Sequence, residues 1–227
     1  MVHERATGPR FVVVAGTGTG VGKTWVGCAL AHALRAAGRD AVALKPVETG
    51  CSPGGSGAED GAQLARATGQ LSPTVALSRF ELPVAPAVAA EREGRTLDWD
   101  ALVASVAHCG SGHEIVLVEG AGGLLSPLTW TRTLADLARA LGATVVLVGR
   151  DALGVLHDVS ACVAVARSAD LAVAHVVLTA PEVADASTGT NALALARLLP
   201  ALPTFVAPRE PDPARAASAF APLARIL

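Results

Sequence analysis

A glycine-rich segment constrains this chain more than any other feature. Residues 16–24 read GTGTGVGKT, directly after the apolar run 11–15 and directly before a helical pattern over 24–37. A turn of this kind lets backbone N–H groups and the positive end of the helix dipole converge on phosphate groups. The segment therefore predicts a phosphate-binding loop in an α/β fold, where a strand leads straight into a helix.

The end of this loop supplies the reactive side chains. Lys23 would reach the β- and γ-phosphates of a nucleotide as a compact cation, and the Thr24 hydroxyl would be a magnesium ligand. The pattern departs from GxxxxGK[ST], because Thr17 stands at its first position and the glycine lies one residue earlier, at Gly16. An ordinary glycine-rich turn is the alternative, but the strand before and the helix after favour phosphate binding. The predicted nucleotide contacts are Gly18, Thr19, Gly20, Val21, Gly22, Lys23 and Thr24.

Short β-branched runs alternate with Ala- and Leu-rich helical patterns along the chain. The predicted strands are residues 11–15, 41–44, 115–118, 144–148, 175–178 and 205–206. The predicted helices are residues 24–37, 134–141, 159–169 and 191–199. This alternation predicts a doubly wound, mainly parallel sheet of about six or seven strands flanked by helices. We expect one P-loop NTPase-like domain over residues 1–227, with residues 1–10 as a flexible N-terminal extension.

Composition excludes several classes of protein. A formal net charge of −2 and an aromatic content of 3%, with no Tyr, argue against a nucleic-acid partner. The apolar run at 11–15 ends at Gly16 and is too short for a membrane span or a secretion signal. The four cysteines lack CxxC spacing, so we expect reduced thiols in a cytoplasmic protein.

Two charged residues directly follow predicted strands. Lys45 comes after residues 41–44, and Glu119 comes after residues 115–118. Because the carboxyl ends of parallel strands meet at one edge of a sheet, both side chains would lie beside the glycine-rich loop. A cation there would stabilise the charge of a transferred phosphoryl group, and a buried acid requires a partner. A lysine whose ammonium extends into solvent remains the alternative for Lys45.

Two segments interrupt the alternation. Residues 50–57 (GCSPGGSG) form a flexible loop by composition, and residues 71–98 contain too many prolines for one long element. Long loops in α/β folds tend to lie over the functional site. Asp60, just after the first loop, is a candidate metal ligand or the start of a helix.

Three motifs together resemble one known family. GTGTGVGKT, KPVETG at residues 45–50 and VEGAGG at residues 118–123 occur in the order found in dethiobiotin synthetases, and the resemblance extends from about residue 11 to residue 160. It implies a homodimeric, Mg2+- and ATP-dependent ligase of biotin biosynthesis. Such an enzyme joins 7,8-diaminopelargonate and CO2, supplied as bicarbonate, through a carbamate and a carbamic–phosphoric anhydride.

The same resemblance implies roles for individual residues. Lys45 would contact the carbamate and the γ-phosphate beside Lys23, and the Thr49 hydroxyl would contact the reacting end of the substrate. The implied metal ligands are Thr24, Asp60 and Glu119, of which Glu119 also belongs to the nucleotide site. The implied backbone contacts to the substrate are Gly122 and Gly123.

One segment departs from the family pattern where the distal substrate carboxylate is held. The family has leucine-glycine-x-x-asparagine-histidine at the start of a helix that acts across the dimer, and residues 153–158 here read LGVLHD. Gly154 and His157 are the implied contacts, because helix N–H groups and an imidazole can donate to a carboxylate. Asp158 replaces the family histidine and would oppose an anion, or it would stabilise the dipole of its own helix.

The residues that read the nucleotide base also differ. The adenine-reading asparagine of many members is absent from residues 178–181 (LTAP), and residues 203–213 lack the motif that closes over the base in some members. The base preference is therefore left open, and nucleoside triphosphates other than ATP stay candidates.

Two other functions are compatible with a P-loop fold. A switch ATPase of the ParA or MinD kind usually carries a second lysine early in its phosphate loop, and residues 17–19 contain none. A synthetase domain of a cobyrinate-type amidotransferase would need a glutaminase domain, for which 227 residues leave no room.

Overall fold

The computed structural model describes residues 8–227. Within this range the strands are β1 (Arg10–Gly16), β2 (Ala41–Leu44), β3 (Val47–Thr49), β4 (Ser78–Phe80), β5 (Ile115–Gly123), β6 (Pro127–Thr129), β7 (Arg132–Thr133), β8 (Thr144–Arg150), β9 (Val173–Thr179) and β10 (Thr204–Val206). The helices are α1 (Lys23–Ala36), α2 (Asp60–Thr68), α3 (Pro86–Arg92), α4 (Trp99–Gly110), α5 (Leu134–Ala140), α6 (Val155–Ser168), α7 (Asn191–Leu198) and α8 (Pro213–Ile226).

Six strands form the central sheet in the order β10-β9-β8-β1-β5-β2, and every neighbouring pair is parallel. These are the six strands that the sequence pattern predicts, so the predicted fold class is confirmed. Two small sheets, β3-β4 and β6-β7, lie beside the central one.

Both faces of the sheet are covered, which explains why its strands are continuously apolar rather than alternating. Val13 and Ala15 of β1 belong to a core that includes residues of α3 to α7. Val12 and Val14 of the same strand belong to a second core with α1, α2 and α8. Successive side chains of a strand point to opposite faces, so one strand contributes to two cores.

The position of β1 sets the place of the functional site. β1 lies between β5 and β8, and its last residue, Gly16, is in register with Gly123 on one side and Val148 on the other. Later strands of the chain therefore flank the first strand on both sides. In open parallel sheets this arrangement leaves a crevice at the carboxyl ends of the strands, where ligands bind.

The structure corrects one helix boundary and adds elements that the pattern misses. α6 begins at Val155, four residues before the predicted start, because Gly154 at φ 99 forms its N-cap and Val155 is buried in the core. Residues 71–98 contain β4 and α3, in agreement with the expectation that they are not one element. The elements not predicted are β3, β4, β6, β7, α2, α3, α4 and α8.

Two sequence expectations concern the N-terminus and membranes. The predicted extension falls largely on residues 1–7, which lie outside the described residues, and Arg10 belongs to β1. Among residues 8–227, no helix is both long enough and apolar enough to span a bilayer.

Candidate active site

The turn between β1 and α1 is built around a left-handed glycine. Gly22 forms the N-cap of α1 at φ 91, a conformation that residues with a side chain rarely adopt. A Cβ at this position would also lie 3.1 Å from Cγ2 of Thr179. The turn thus leads directly into the first residues of α1. The first N–H groups of a helix have no partners within the helix, so they can bind an anion.

Lys23 is held inside this turn. Its Nζ donates a hydrogen bond to the carbonyl oxygen of Gly18, with 3.0 Å between the atoms. Burial lowers the pKa of Lys23, and the carboxylate of Glu119 opposes that shift. The side chain thus lies along the loop where a bound phosphate chain would replace the carbonyl as its partner.

Four side chains from separate elements meet next to the turn. Lys45 Nζ lies 2.6 Å from Oε1 of Glu119 and 2.7 Å from Oδ2 of Asp60. The hydroxyl of Thr24 donates to the same Glu119 oxygen over 2.9 Å. The predicted approach of Lys45 and Glu119 to the glycine-rich loop is therefore present in the folded chain.

Burial and charge act in opposite directions in this cluster. Burial works against a charged Lys45, yet the carboxylates of Glu119 and Asp60 outweigh it and raise the pKa of Lys45. Glu119 is only 1% exposed, and burial raises its pKa despite the neighbouring ammonium. Burial also opposes the ionised form of Asp60, but its side chain is 35% exposed, and the Lys45 ammonium lowers its pKa. Lys45 thus keeps its charge, and its ammonium is the cation beside the buried Glu119 carboxylate.

The cluster has the donor set for a divalent cation. Oε2 of Glu119 is buried and has no hydrogen-bond partner among residues 8–227, which is costly for a carboxylate oxygen. The hydroxyl of Thr24 contacts the other Glu119 oxygen, and the Asp60 carboxylate shares the Lys45 ammonium with Glu119, so both residues offer further oxygen atoms to the cluster. Magnesium prefers oxygen ligands and usually takes only one or two carboxylates from a protein. The residues predicted as metal ligands therefore fit a magnesium ion.

A cavity of about 540 Å3 opens in front of this cluster. Thr49, at the end of β3, and Gly122, in β5, are among the residues that line it. Gly123 lies next to this wall, and its N–H donates to the hydroxyl of Ser126 over 2.9 Å. Lining residues that the sequence reasoning did not select are Trp25, Glu48, Pro83, Val84, Ala85, Pro86, Ala121 and Ser126. Of these, Glu48 was visible within the KPVETG motif.

A second cavity, of about 440 Å3, lies on the other side of the glycine-rich loop. Val21 lines it together with residues 179–182 and 207–211. The hydroxyl of Thr179 donates to the carbonyl of Val21 over 2.8 Å, and Arg209 donates to the carbonyl of Pro181 over 2.6 Å. Because both cavities share the loop, a nucleotide with its phosphates at Lys23 can extend its nucleoside part into the second one.

The remaining predicted residues lie away from both cavities. Gly154 and the exposed His157 are at the start of α6. The N–H of Leu153 donates to Oδ2 of Asp185 over 2.8 Å, which anchors this helix start, while the Leu153 side chain is 86% exposed. Within one chain, these residues are not brought to the cluster around Lys45.

Comparisons with known proteins agree with this geometry. Residues 10–209 match the sequence model of a family described as AAA domain. The chain is 44% identical over 212 residues to the ATP-dependent dethiobiotin synthetase BioD of Anaeromyxobacter dehalogenans (strain 2CP-1), covering 92% of this chain and 94% of that protein. It is 42% identical over 201 residues to the protein of the same name from Caulobacter sp. (strain K31), covering 86% of each chain.

Solved structures share the fold at lower sequence identity. The septum site-determining protein MinD of Pyrococcus horikoshii, solved with Mg-ADP, superposes with a TM-score of 0.61 at 18% identity. The match covers 96% of this chain and 95% of that one. At this identity the likeness establishes a P-loop NTPase fold and carries no statement about activity.

Proposed function

This chain belongs to the family of ATP-dependent dethiobiotin synthetases, and we propose that it closes the ureido ring of dethiobiotin through a phosphorylated carbamate. The observation that carries the proposal is the Lys45 ammonium, held between Asp60 and Glu119 beside Thr24 at the phosphate-binding turn. A positive charge fixed at this place is suited to phosphoryl transfer, in which charge on the moving group must be stabilised.

The nucleotide would bind with its phosphates in the turn of residues 16–24. The N–H groups at the start of α1 and the Lys23 ammonium would bind the β- and γ-phosphates. Lys23 would exchange its bond to the Gly18 carbonyl for bonds to phosphate oxygens. Residues 18–22 would contribute backbone contacts, as the glycine-rich pattern predicts.

Magnesium would be held by Thr24, Asp60 and Glu119. When bound, the ion supplies positive charge that neutralises the phosphate oxygens during transfer. Oε2 of Glu119, which has no hydrogen-bond partner within the described part of the chain, supports this assignment, because a nearby cation would relieve its desolvation. Lys45 already donates a hydrogen bond to the other Glu119 oxygen, and its ammonium would stay charged and face the substrate.

The reaction would proceed in three steps. One amine of 7,8-diaminopelargonate attacks CO2 and loses a proton, which leaves a carbamate. A carbamate oxygen then attacks the γ-phosphorus, the bond to the nucleoside diphosphate breaks, and a carbamic–phosphoric anhydride forms. The second amine attacks the anhydride carbonyl, phosphate leaves, a proton is lost and the ring closes. The last step relies on the proximity of two groups in one molecule rather than on a protein nucleophile.

Residues of this chain would orient those groups. Lys45 would hold the carbamate against the γ-phosphate, and the Thr49 hydroxyl would bind the reacting end of the diamine. Gly122 and Gly123 would let the diamine approach backbone at the end of β5. The cavity that Thr49 and Gly122 line supports this placement.

We also propose that the enzyme acts as a homodimer. Gly154 and His157 do not line the cavity in front of Lys45 in their own chain, so we place them against the distal carboxylate of a substrate held by a second copy. The exposed Leu153 and Val183 beside this helix start offer apolar area for such a contact. The cytoplasmic location expected from the sequence stays a prediction, as does the preferred base of the nucleotide.

The deciding experiment supplies purified protein with magnesium, bicarbonate and the diamine, and follows phosphate release with ATP, GTP, CTP and UTP. We expect release that requires the diamine, and a product with the mass of dethiobiotin. Nucleotide hydrolysis that ignores the diamine would instead support a switch ATPase of the MinD kind.

Subunit mixing tests the shared site. Lys45→Ala and His157→Ala proteins are mixed, and mixed dimers should regain activity if each site takes its lysine from one chain and its histidine from the other. A monomeric mass in light scattering, or no regain after demonstrated subunit exchange, would reject the shared site while leaving the ligase assignment intact.

A further inference from the structure

Glu48 makes an unusual pair of hydrogen bonds for a residue in a strand. It lies in β3, three residues after Lys45, and is only 6% exposed. One carboxylate oxygen accepts the N–H of Asp60 over 2.5 Å, and the other accepts the N–H of Gly61 over 3.0 Å. Both carboxylate oxygens are therefore used to bind the first two residues of α2.

These bonds replace a local helix cap. The N-cap residue of α2, Glu59, makes no side-chain cap bond, and its carboxylate instead accepts hydrogen bonds from Arg79. Glu48 thus satisfies the N-terminal N–H groups from twelve residues upstream in the chain. A carboxylate at this end of a helix is also favoured by the helix dipole.

The other side of the same helix start is held by close packing. A Cβ added to Gly61 would lie 2.4 Å from the backbone nitrogen of Ala76, so the first turn of α2 touches this backbone directly. Together with Glu48, this contact leaves the Asp60 backbone little freedom. The Asp60 carboxylate, 2.7 Å from Lys45, is consequently placed by the Glu48 carboxylate and by this backbone packing.

We propose that Glu48 is a positioning residue for the reaction, which sets the Asp60 carboxylate against Lys45 and the metal. This inference rests on the proposed function, in which Asp60 is a metal ligand. Glu48 is close to Cys51 and Glu59, and these three side chains are near enough to share an ion. However, both Glu48 oxygens already accept backbone N–H groups and Glu59 binds Arg79, so hydrogen bonding accounts for this cluster.

A double-mutant cycle tests the proposal with Glu48→Gln, Asp60→Asn and the double variant. The amide side chain keeps the size of Glu48 but points a donor at one of the two N–H groups. We expect turnover to fall by about tenfold or more, as for other groups that support metal ligands, with the nucleotide KM nearly unchanged and a higher magnesium requirement. Since Glu48 acts through Asp60, the double variant should be no slower than Asp60→Asn alone.

Glu93 provides a matched control. One oxygen of its carboxylate, Oε1, accepts two consecutive backbone N–H groups, those of Glu81 and Leu82, at 2.8 and 3.0 Å, whereas Glu48 uses both of its oxygens. Glu93→Gln should leave turnover and magnesium requirement near those of the unmodified protein. An equal loss of turnover in Glu93→Gln, or additive losses in the cycle, would overturn the proposal.

Amide NMR separates this inference from the proposed function. The N–H signals of Asp60 and Gly61 should be shifted downfield by their short bonds to a carboxylate, and Glu48→Gln should move both upfield. If the unmodified protein lacks diamine-dependent turnover, the proposed function fails, whereas the amide shifts still report on the positioning. Signals that do not respond to Glu48→Gln would refute the positioning role even in an active ligase.

Discussion

The Lys45 ammonium lies 2.6 Å from a Glu119 oxygen, although the two residues are 74 positions apart in the chain. Lys45 follows β2 and Glu119 belongs to β5, and these strands are parallel neighbours with Leu44 in register with Val118. Adjacent parallel strands thus place the two charged residues side by side at the edge where the phosphate-binding turn lies.

Replacing Lys45 by Ala should stop turnover while leaving nucleotide binding nearly intact. In the proposed site the phosphates would be bound mainly by the turn and Lys23, whereas Lys45 would act on the group being transferred. Removing such a stabilising donor costs about 100-fold or more in turnover. Phosphate release and calorimetric titration with the nucleotide check both parts, with Lys23→Ala as the variant expected to lose binding. Preserved turnover with weakened binding would show that Lys45 has a different role.

Breaking the buried ion pair should destabilise the fold. Lys45→Met leaves the buried Glu119 carboxylate without its ammonium partner, and removing one member of such a pair costs about 3–5 kcal/mol. We expect part of this loss to return in Lys45→Met/Glu119→Gln, which replaces the buried charge by a neutral amide. Urea unfolding of the unmodified protein, the single variant and the double variant measures the free energy of unfolding of each. Equal losses of this free energy in the two variants would contradict the pairing argument.

Thr179 should support nucleotide affinity through the glycine-rich loop. Its hydroxyl donates to the carbonyls of Val21 and Gly149, so it ties the loop to the ends of β8 and β9. Thr179→Val keeps the shape and removes the hydroxyl, and a lost hydrogen bond of about 1 kcal/mol corresponds to roughly fivefold weaker binding. Thr179→Ser retains the hydroxyl and should bind normally. Nucleotide titrations of both variants test this prediction. Equally weakened nucleotide binding in the two would show that packing of the side chain, and not its hydroxyl, supports affinity.

Asp185 should make stability depend on pH in the acid range. Hydrogen bonds from the Ser187 hydroxyl and from backbone N–H groups, including that of Leu153, lower the pKa of Asp185 to about 2. Because the folded value is below the ordinary value of about 4, its stabilisation is fully present above pH 4 and is lost as the pH falls toward 2. Asp185→Asn should therefore lower Tm at pH 7, and the difference from the unmodified protein should narrow on acidification. A constant difference in Tm between pH 7 and pH 3 would contradict this account.

The α/β alternation identified the elements with strong periodicity and missed weaker ones. The six apolar strands are all present because parallel strands buried on both faces must be continuously apolar. Helices α2 and α3 have only 9 and 7 residues and lie near Gly- and Pro-containing stretches, so the hydrophobic pattern did not separate them from loops. The longer helices α4 and α8, of 12 and 14 residues, were also not predicted. The start of α6 was placed too late, since Gly154 acts as an N-cap through its left-handed backbone rather than through a side chain.

The residues of the candidate site were likewise predicted only in part. Lys23, Thr24, Lys45 and Glu119 were selected from the sequence because each directly follows a predicted strand or ends the glycine-rich turn, and parallel strands end at a common edge. In the structure β5 continues through Glu119 to Gly123. Glu48 and Thr179 were not selected, although both hold the site together. Their partners are backbone groups in other segments, and no spacing rule connects a side chain to a backbone atom so far along the chain.

Local chemistry alone thus established the phosphate-binding turn, the parallel sheet and the charged residues at its edge. These features depend on periodicity and on residue types within a few positions of one another. The folded chain decided which strands are neighbours, how deeply Glu119 is buried, and that Glu48 rather than Glu59 caps α2. Such properties arise when distant segments pack and exclude water, so they depend on the whole set of contacts and not on any one segment.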